Sequence, residues 1–173
     1  MSFVQRTNPE GKLIQSNGVL SANNRNISAQ FYDSTQRTLT FTTTSTYLQT
    51  TKFNSAPTVF VASTNHLQVT KAGLFHINWH TTLKALTADS GIVMWVEIDS
   101  TGAGSSFAES SGTKSFLDVP MHWVSFESSG NFHLGAGYLV RVRYKMEWGT
   151  ASLQTLGQGD RLGIICLYLL GDS

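Results

Sequence analysis

Charged side chains are scarce in this sequence. Asp, Glu, Lys and Arg make up 13% of its 173 residues, about half the share that is usual in globular domains, and the net charge at pH 7 is +1. Binding to nucleic acid needs clustered Lys and Arg, because these side chains neutralise phosphates, and no such cluster is present. We therefore expect no nucleic-acid partner.

Long hydrophobic runs and cysteines are missing as well. No run of about 18 apolar residues could span a bilayer, so we expect no membrane insertion. Residues 1–6 lack the basic start and apolar centre of a secretory signal. The single Cys166 excludes an intrachain disulfide framework and a cysteine-rich zinc site, and its apolar surroundings predict a buried structural thiol.

Patterns typical of catalysis or cofactor binding are also absent. The acidic residues are dispersed without the spacing of a calcium loop, and the Gly/Ser stretches lack the pattern of a nucleophile elbow or a phosphate loop. We predict that the protein is not an enzyme, with no catalytic residue, no metal and no cofactor.

What the sequence does contain is alternation of apolar and polar residues. In the stretch 72–83, Phe75, Ile77, Trp79 and Leu83 fall on one face of an extended chain, and His76, Asn78, His80 and Thr82 fall on the other. Successive side chains of a strand point to opposite sides, so this period of two predicts a long, half-buried β-strand with Trp79 in the core.

From residue 56 onward, short strands alternate with turn signals. The predicted strands are 58–62, 66–70, 73–84, 92–99, 116–126 interrupted at Pro120, 138–148 and 162–170, and the predicted turns are 89–91, 100–106, 128–130 and 157–160. No window shows helical periodicity. The fold class is therefore predicted to be all-β, an antiparallel two-sheet jelly-roll sandwich over residues 56–173.

Residues 1–55 differ from the rest, because they contain too few large apolar residues for a core of their own. The only clear strand there is 38–44, with a continuation at Tyr47 and Leu48. We expect an extended N-terminal arm that serves attachment or oligomerisation, and local disorder is the alternative.

Two strands bear on assembly. In 138–148 one face is apolar, whereas the other carries Arg141 and Arg143 and is either solvated or paired across an interface; an anion or glycan site at these arginines is the alternative. In 162–170 both faces are apolar. Ile165, Leu167 and Leu169 would forfeit about 1.5–3 kcal/mol each if exposed, so we predict that a second copy of the chain, or its arm, covers them.

Three stretches resemble the complement globular-head and tumour-necrosis-factor superfamily. Residues 72–77 resemble its Gly-x-aromatic-x-aliphatic strand, residues 132–142 its Leu-x-x-Gly-Asp-x-Val-x-Val hairpin with Tyr138 at the Asp position, and residues 163–170 its closing hydrophobic strand. The resemblance covers about residues 57–171. It implies a jelly roll of about ten strands that assembles as a tight homotrimer.

The resemblance also implies which residues meet at the threefold axis. These interface residues are His76, Asn78, His80, Arg141, Arg143, Ile165, Leu167 and Leu169. His76 and His80 lie roughly 13 Å apart along a strand, too far to share one ion. Three copies of either imidazole around the axis could hold an ion or act as a proton switch, and this alternative stays open beside a hydrogen-bonded interface histidine.

Jelly rolls resembling this family also occur on viral particles, and the signal-less, Ser/Thr/Asn-rich sequence fits that setting. We therefore expect a non-enzymatic virion structural protein, such as a phage head fibre, spike, decoration or tail-tip protein. It would contact other virion proteins through the arm and bind a host-surface glycan or receptor. The alternative is a secreted, extracellular trimer that binds glycan or a receptor.

Recognition is expected at exposed aromatic rings and at Gly/Ser-rich loops, because loops on a rigid scaffold carry variable contacts. The predicted recognition residues are Trp95, Trp123, Ser105, Ser106 and Asn131. Core packing is the alternative for both tryptophans.

Overall fold

The computed structural model describes residues 6–7, 13–15, 18–20, 27–33, 36, 38–39, 44–45, 50–86, 90–110, 115–119, 122–149, 153–155 and 163–171. Within these ranges every regular element is a strand. The strands are β1 (Arg6–Thr7), β2 (Leu13–Gln15), β3 (Gly18–Leu20), β4 (Ser28–Asp33), β5 (Thr38–Leu39), β6 (Thr44–Ser45), β7 (Thr50–Asn54), β8 (Phe60–Ala62), β9 (Leu67–Val69), β10 (Gly73–Ala85), β11 (Ser90–Asp99), β12 (Ala108–Glu109), β13 (Ser115–Val119), β14 (Val124–Leu134), β15 (Leu139–Trp148), β16 (Leu153–Thr155) and β17 (Gly163–Gly171). No helix long and apolar enough to cross a membrane occurs in this part of the chain.

Two antiparallel sheets form the body of the molecule. The front sheet has the order β5-β16-β10-β17-β4-β7. Strand β14 also pairs with β10, on the edge opposite to β17. The back sheet has the order β12-β11-β15-β9-β8, with β13 paired to β11 and β6 to β15. The short strands β1, β2 and β3 form a separate small sheet.

The long strand β10 holds the front sheet together. Its residues pair with β14 from Gly73, opposite Leu134, to Leu83, opposite Val124. Its other edge pairs with β17, where Ile77 lies opposite Leu167. The alternation of inward and outward side chains along β10 agrees with the prediction. Its odd-numbered apolar residues are buried, and Trp79 is only 1% exposed.

The core lies between the two sheets and is formed by their facing side chains. The front sheet supplies Phe75, Ile77 and Trp79 from β10, and the back sheet supplies Ile92, Met94 and Val96 from β11, among other residues. The all-β, two-sheet sandwich predicted from the alternation is confirmed.

Several local predictions need correction. The turn predicted at 128–130 is wrong, because Gly130 lies in the middle of β14 opposite Ile77. The glycine there has a packing role: a Cβ at this position would lie 3.0 Å from Cζ of Phe132, whose ring covers it. The strand predicted at 38–44 is seen as two short strands, β5 on the front sheet and β6 on the back sheet.

The sandwich also begins before residue 55. Strand β4 pairs with β17 and β7 pairs with β4, and Ala29 and Phe31 of β4 are in the core. This part of the predicted arm is therefore integral to the front sheet. Tyr47, Leu48 and the turn predicted at 157–160 lie outside the described residues.

Candidate functional site

The apolar trio expected at a subunit interface lies inside the protein. Ile165 and Leu167 are fully buried and Leu169 is nearly so, and all three belong to the core between the sheets. Their assignment to the interface is wrong. The physical reason is that both faces of β17 are apolar in sequence, so the pattern gave no asymmetry to say which face turns inward.

The other side of β17 is the one that faces outward. Cys166 is half-buried there, and Tyr168 and Leu170 are 44% and 50% exposed. The buried thiol predicted for Cys166 is therefore wrong, because its register places it outside the core, opposite Asn78 of β10. Burial, and next the neighbouring Cys166, raise the pKa of the Tyr168 phenol above its ordinary value.

His76, Asn78 and His80 lie on this same outward side of the front sheet, which we call the front face. All three are half-buried. Nδ1 of His76 donates to Oδ1 of Asn131 on β14 at 2.8 Å, and the His76 ring lies 6.3 Å from the ring of Tyr168. Polar hydrogen bonds and exposed apolar groups are thus interleaved on the front face.

Arg141 and Arg143 lie on the opposite side of the molecule. Their strand, β15, belongs to the back sheet, and they point to its outward side, which we call the back face, because Val140 and Val142 point into the core. The two arginines therefore do not share a surface with His76, Asn78 and His80. β10 and β15 belong to different sheets, and a place for the two arginines at a subunit interface stays a prediction.

Glu97 of β11 binds two neighbouring side chains on the back face, Arg141 and Trp95. Its Oε2 accepts a hydrogen bond from Nε of Arg141 at 2.8 Å and lies 2.6 Å from Nη2. Its Oε1 accepts a hydrogen bond from Nε1 of Trp95 at 3.0 Å. Phe107, from the loop after β11, packs on Arg141 with the guanidinium carbon 3.7 Å from the ring centre. Arg141 is thus a paired, covered cation.

Arg143 has a different environment. It lies directly opposite Trp95 in the register, and its Nε–H is buried without a hydrogen-bond acceptor among the described residues. Burial, and next the charge of Arg141, lower its pKa, which Glu97 only partly offsets. Glu109 of β12 lies directly opposite Glu97 on the same face, so two carboxylates and two guanidinium groups occupy this part of the back sheet.

Two exposed aromatic rings lie on the back face toward the Gly91 end of β11, away from Arg143. Phe116 of β13 lies opposite Val93, and Trp148 of β15 lies opposite Gly91. Phe116 is 65% exposed and Trp148 is 47% exposed, although Val93 between them is buried. A Cβ on Gly91 would lie 2.0 Å from the indole Nε1, so the missing side chain makes room for the Trp148 ring.

The loop after β11 is held by a buried carboxylate. Oδ1 of Asp99 accepts hydrogen bonds from the hydroxyl and the backbone N–H of Thr101, at 2.6 and 2.8 Å. Oδ2 accepts from the backbone N–H groups of Gly104 and Ser106, at 2.8 and 3.1 Å. The hydroxyl of Thr101 first, and then the backbone donors, lower the pKa of Asp99 to about 2.

The predicted recognition residues do not share one surface. Trp95 lies on the back face and is 8% exposed, and Asn131 lies on the front face. Trp123, under the ammonium group of Lys84, adjoins the start of β14. Ser105 and Ser106 lie at the opposite end of the sandwich, in the Asp99 loop.

Within the described ranges, no three His, Cys, Asp or Glu side chains are grouped so as to hold a metal ion.

Sequence reasoning missed the residues that organise the back face. Glu97 and Phe107 contact Arg141, while Phe116 and Trp148 are exposed toward the Gly91 end of the same face. One signal was available for Trp148. Gly91 is a glycine inside an otherwise β-branched and aromatic strand, and such a glycine indicates a close approach by another group.

The chain matches no protein-family model and no curated protein. Solved structures are similar to it over most of its length. Eiger TNF from S. frugiperda superposes with a TM-score of 0.63 at 13% identity, covering 85% of this chain and 94% of that one. Murine APRIL at pH 5.0 superposes with a TM-score of 0.59 at 13% identity, covering 83% and 98%.

The globular domain of zebrafish complement 1qA superposes with a TM-score of 0.60 at 8% identity, covering 86% of this chain and 99% of that one. These identities are too low to carry more than the fold. They agree with the resemblance found in the stretches 72–77, 132–142 and 163–170. The chain therefore has the jelly-roll fold shared by TNF-type ligands and complement globular heads.

Proposed function

We propose that the protein is a non-enzymatic recognition module that assembles as a homotrimer through its front face and binds a receptor or glycan outside the cell. The observation that carries the proposal is the composition of the front face. Phe53, Tyr168 and Leu170 are each about half exposed there, on strands β7 and β17.

Half-exposed large apolar residues that gather on one sheet face indicate an interaction surface, because a solvated face would be stabilised by polar residues. Phe53 lies opposite Gln30 of β4, and Gln30 lies opposite Cys166 of β17. Tyr168 is two residues along β17 from Cys166. This corresponds to roughly 12 Å between Phe53 and Tyr168. The exposed apolar residues thus lie on the same face, with Gln30 and Cys166 between Phe53 and Tyr168.

The front face is also nearly uncharged, which suits burial between subunits. His76, Asn78 and Asn131 supply hydrogen-bonding groups there, and Glu127 lies at its border opposite His80. A ring of three copies could bury the central part of such a face while Glu127 and Lys84 stay near its edges. The resemblance to a trimeric family supports the number three, and His76 and His80 remain candidates for the axis.

The mass of the full-length protein in solution tests the proposal. We expect light scattering to give three times 19.0 kDa. Tyr168→Asp should convert the trimer into folded monomers, because it adds a charge to the dry contact while leaving the core intact. Val61→Asp, at a residue 43% exposed in the back sheet, is the matched control and should leave the mass unchanged.

Two outcomes would refute the assembly. A parent protein of monomer mass would show that the front face is exposed to solvent, and a Tyr168→Asp protein that stays trimeric would place the contact elsewhere.

The virion role expected from the sequence is a second candidate within the same class of non-enzymatic module. The structural neighbours named above are animal proteins, so they favour the extracellular alternative. Attachment to a particle through the N-terminal residues stays a prediction. Deletion of residues 1–26 tests it, since it spares β4 and should leave the trimer folded while abolishing any attachment.

A further inference from the structure

We propose that the front face is a pH switch, in which protonation of His76 drives the trimer apart into folded protomers as the pH falls below neutral. This inference rests on the proposed function, because it concerns how assembly through the front face is regulated. The observation that carries it is the position of His76 and His133. Both lie on the front face, and no carboxylate of the described residues is paired with either of them in the strand registers.

One hydrogen bond fixes the tautomer of His76. Nδ1 donates to Oδ1 of Asn131 at 2.8 Å, so the neutral ring keeps its proton on Nδ1 and leaves Nε2 as an acceptor. Protonation then adds a proton at Nε2 and a positive charge on the ring. That ring lies 6.3 Å from the ring of Tyr168, on which the proposed subunit contact depends, so the new charge would arise at the contact.

The groups around His76 do not neutralise this charge. On β14, Asn131 lies opposite His76, and His133 lies diagonally, two residues along. On β17, Tyr168 lies opposite His76, with Cys166 two residues along. Burial raises the pKa of the Tyr168 phenol, which keeps it neutral. A second imidazolium at His133 would repel the first, because diagonal cross-strand neighbours are close enough to interact.

His80 is the contrasting case on the same strand. It lies directly opposite Glu127 of β14. An imidazolium at His80 therefore has a carboxylate as its cross-strand neighbour in the protomer and in the trimer alike. Since the charge of His80 is compensated in both states, its protonation has little influence on assembly. The switch is assigned to His76 for this reason.

The direction of the pH effect follows from the cost of burying a charge. Imidazole side chains ordinarily gain their proton near pH 6.5, where most other side chains do not change their charge. An imidazolium on a separated protomer is hydrated, whereas the same group between subunits would be buried without a counter-charge. Dissociation therefore takes up protons, once in each of three equivalent contacts, and a fall in pH favours the separated protomers.

Light scattering of the full-length protein over a range of concentrations tests the proposal, with EDTA present so that a bound metal ion cannot contribute. We expect a trimer at pH 7.5. The protein concentration at which half of the trimer dissociates should be at least about tenfold higher at pH 5.5. Circular dichroism should show folded protein at both pH values. A monomer at pH 7.5 would refute the assembly itself, whereas equal dissociation at both pH values would refute only the switch.

Three variants assign the effect to individual histidines. His76→Gln keeps a polar side chain that cannot gain a charge, so it should stay trimeric at pH 7.5 and lose most of the pH dependence. His133→Gln, at an exposed residue, removes the second cation and should weaken the dependence less. His80→Gln is the matched control and should retain the dependence. Full dependence in His76→Gln, its loss in His80→Gln, or unfolding of the parent protein at pH 5.5 would each overturn the proposal.

Discussion

The front face and the back face are built from the same alternation of strand residues, yet they differ in chemistry. The front face is nearly uncharged, with exposed Tyr168 and Leu170 beside a neutral hydrogen bond from His76. The back face has a mostly buried ion pair between Glu97 and Arg141, covered by Phe107. A neutral face can be buried against a copy of itself, whereas the back face already compensates its charges within one protomer.

The largest expected effect is the difference in unfolding free energy between substitutions on the two sides of β17. Leu167→Asp places a charge in the core and should cost more than about 4 kcal/mol, which is enough to unfold many domains. Tyr168→Asp changes the adjacent, outward residue and should cost the isolated protomer less than about 1 kcal/mol. Urea unfolding followed by circular dichroism measures both. A folded Leu167→Asp protein would contradict the inward orientation of Leu167.

The next effect compares two ion pairs of the back face. Glu97→Ala leaves Arg141 covered and unpaired, and also removes the acceptor of Trp95, so it should cost about 3 kcal/mol of unfolding free energy. Glu147→Ala removes only an exposed contact with Lys145 and should cost less than about 0.5 kcal/mol. Equal losses in the two variants would show that burial of the Glu97 pair has no influence on its strength.

Replacing both partners sharpens the same comparison. The double variant Glu97→Leu with Arg141→Met should recover most of the stability lost in Glu97→Ala, because neither charge then remains unpaired. Urea midpoints of the single and double variants give the comparison, and a double variant that is as unstable as the single one would contradict it.

A pH-dependent effect is expected at Asp99, at one end of the back sheet. Its pKa in the folded protein is about 2, below the ordinary 3.8, so ionised Asp99 stabilises the fold above about pH 4. That contribution is lost as the pH falls from about 4 to 2. Asp99→Asn should lower the thermal midpoint at pH 7, because an amide NH2 would then face backbone donors.

The difference in midpoint between parent and Asp99→Asn should narrow as the pH falls from 5 to 2. A constant difference over this range would show that the loop does not depend on the charge of Asp99. Glu109→Gln, at an exposed residue of the same sheet, serves as the control.

The smallest effect tests the polar part of the front face. Asn131→Ala removes the acceptor of His76 and should cost about 0.5–1 kcal/mol in the monomeric Tyr168→Asp background. Ser129→Ala, on the same side of β14, is the control and should change less. A larger loss in the trimer than in the monomer would place this hydrogen bond inside the subunit contact.

The alternation predicted most strand positions well. The stretches 73–84 and 162–170 correspond to β10 and β17 within one residue at each end, because a period of two is a direct consequence of strand geometry. The turn at 100–106 was also correct, since Asp99 and the glycines of that loop are typical turn residues.

The orientation of β17 and the partition of strands between sheets could not be predicted in the same way. Ile165 and Tyr168 occupy opposite faces that are both apolar in sequence, so the inward face depends on the pairing with β4 and β10. Likewise, alternation places Arg143 on an outward face without saying which sheet carries it. These properties arise from contacts between residues far apart in sequence.

The pairing of β10 with β17 also bears on how the protein is made. Ile77 lies opposite Leu167, so two neighbours at the centre of the front sheet are separated by about half of the chain. During synthesis on the ribosome, β4 and β10 would each have an unpaired backbone edge until residues 163–171 have emerged. Folding is therefore expected to finish late and slowly, and a chain interrupted before β17 should associate with other chains through these open edges rather than form a stable shortened sandwich.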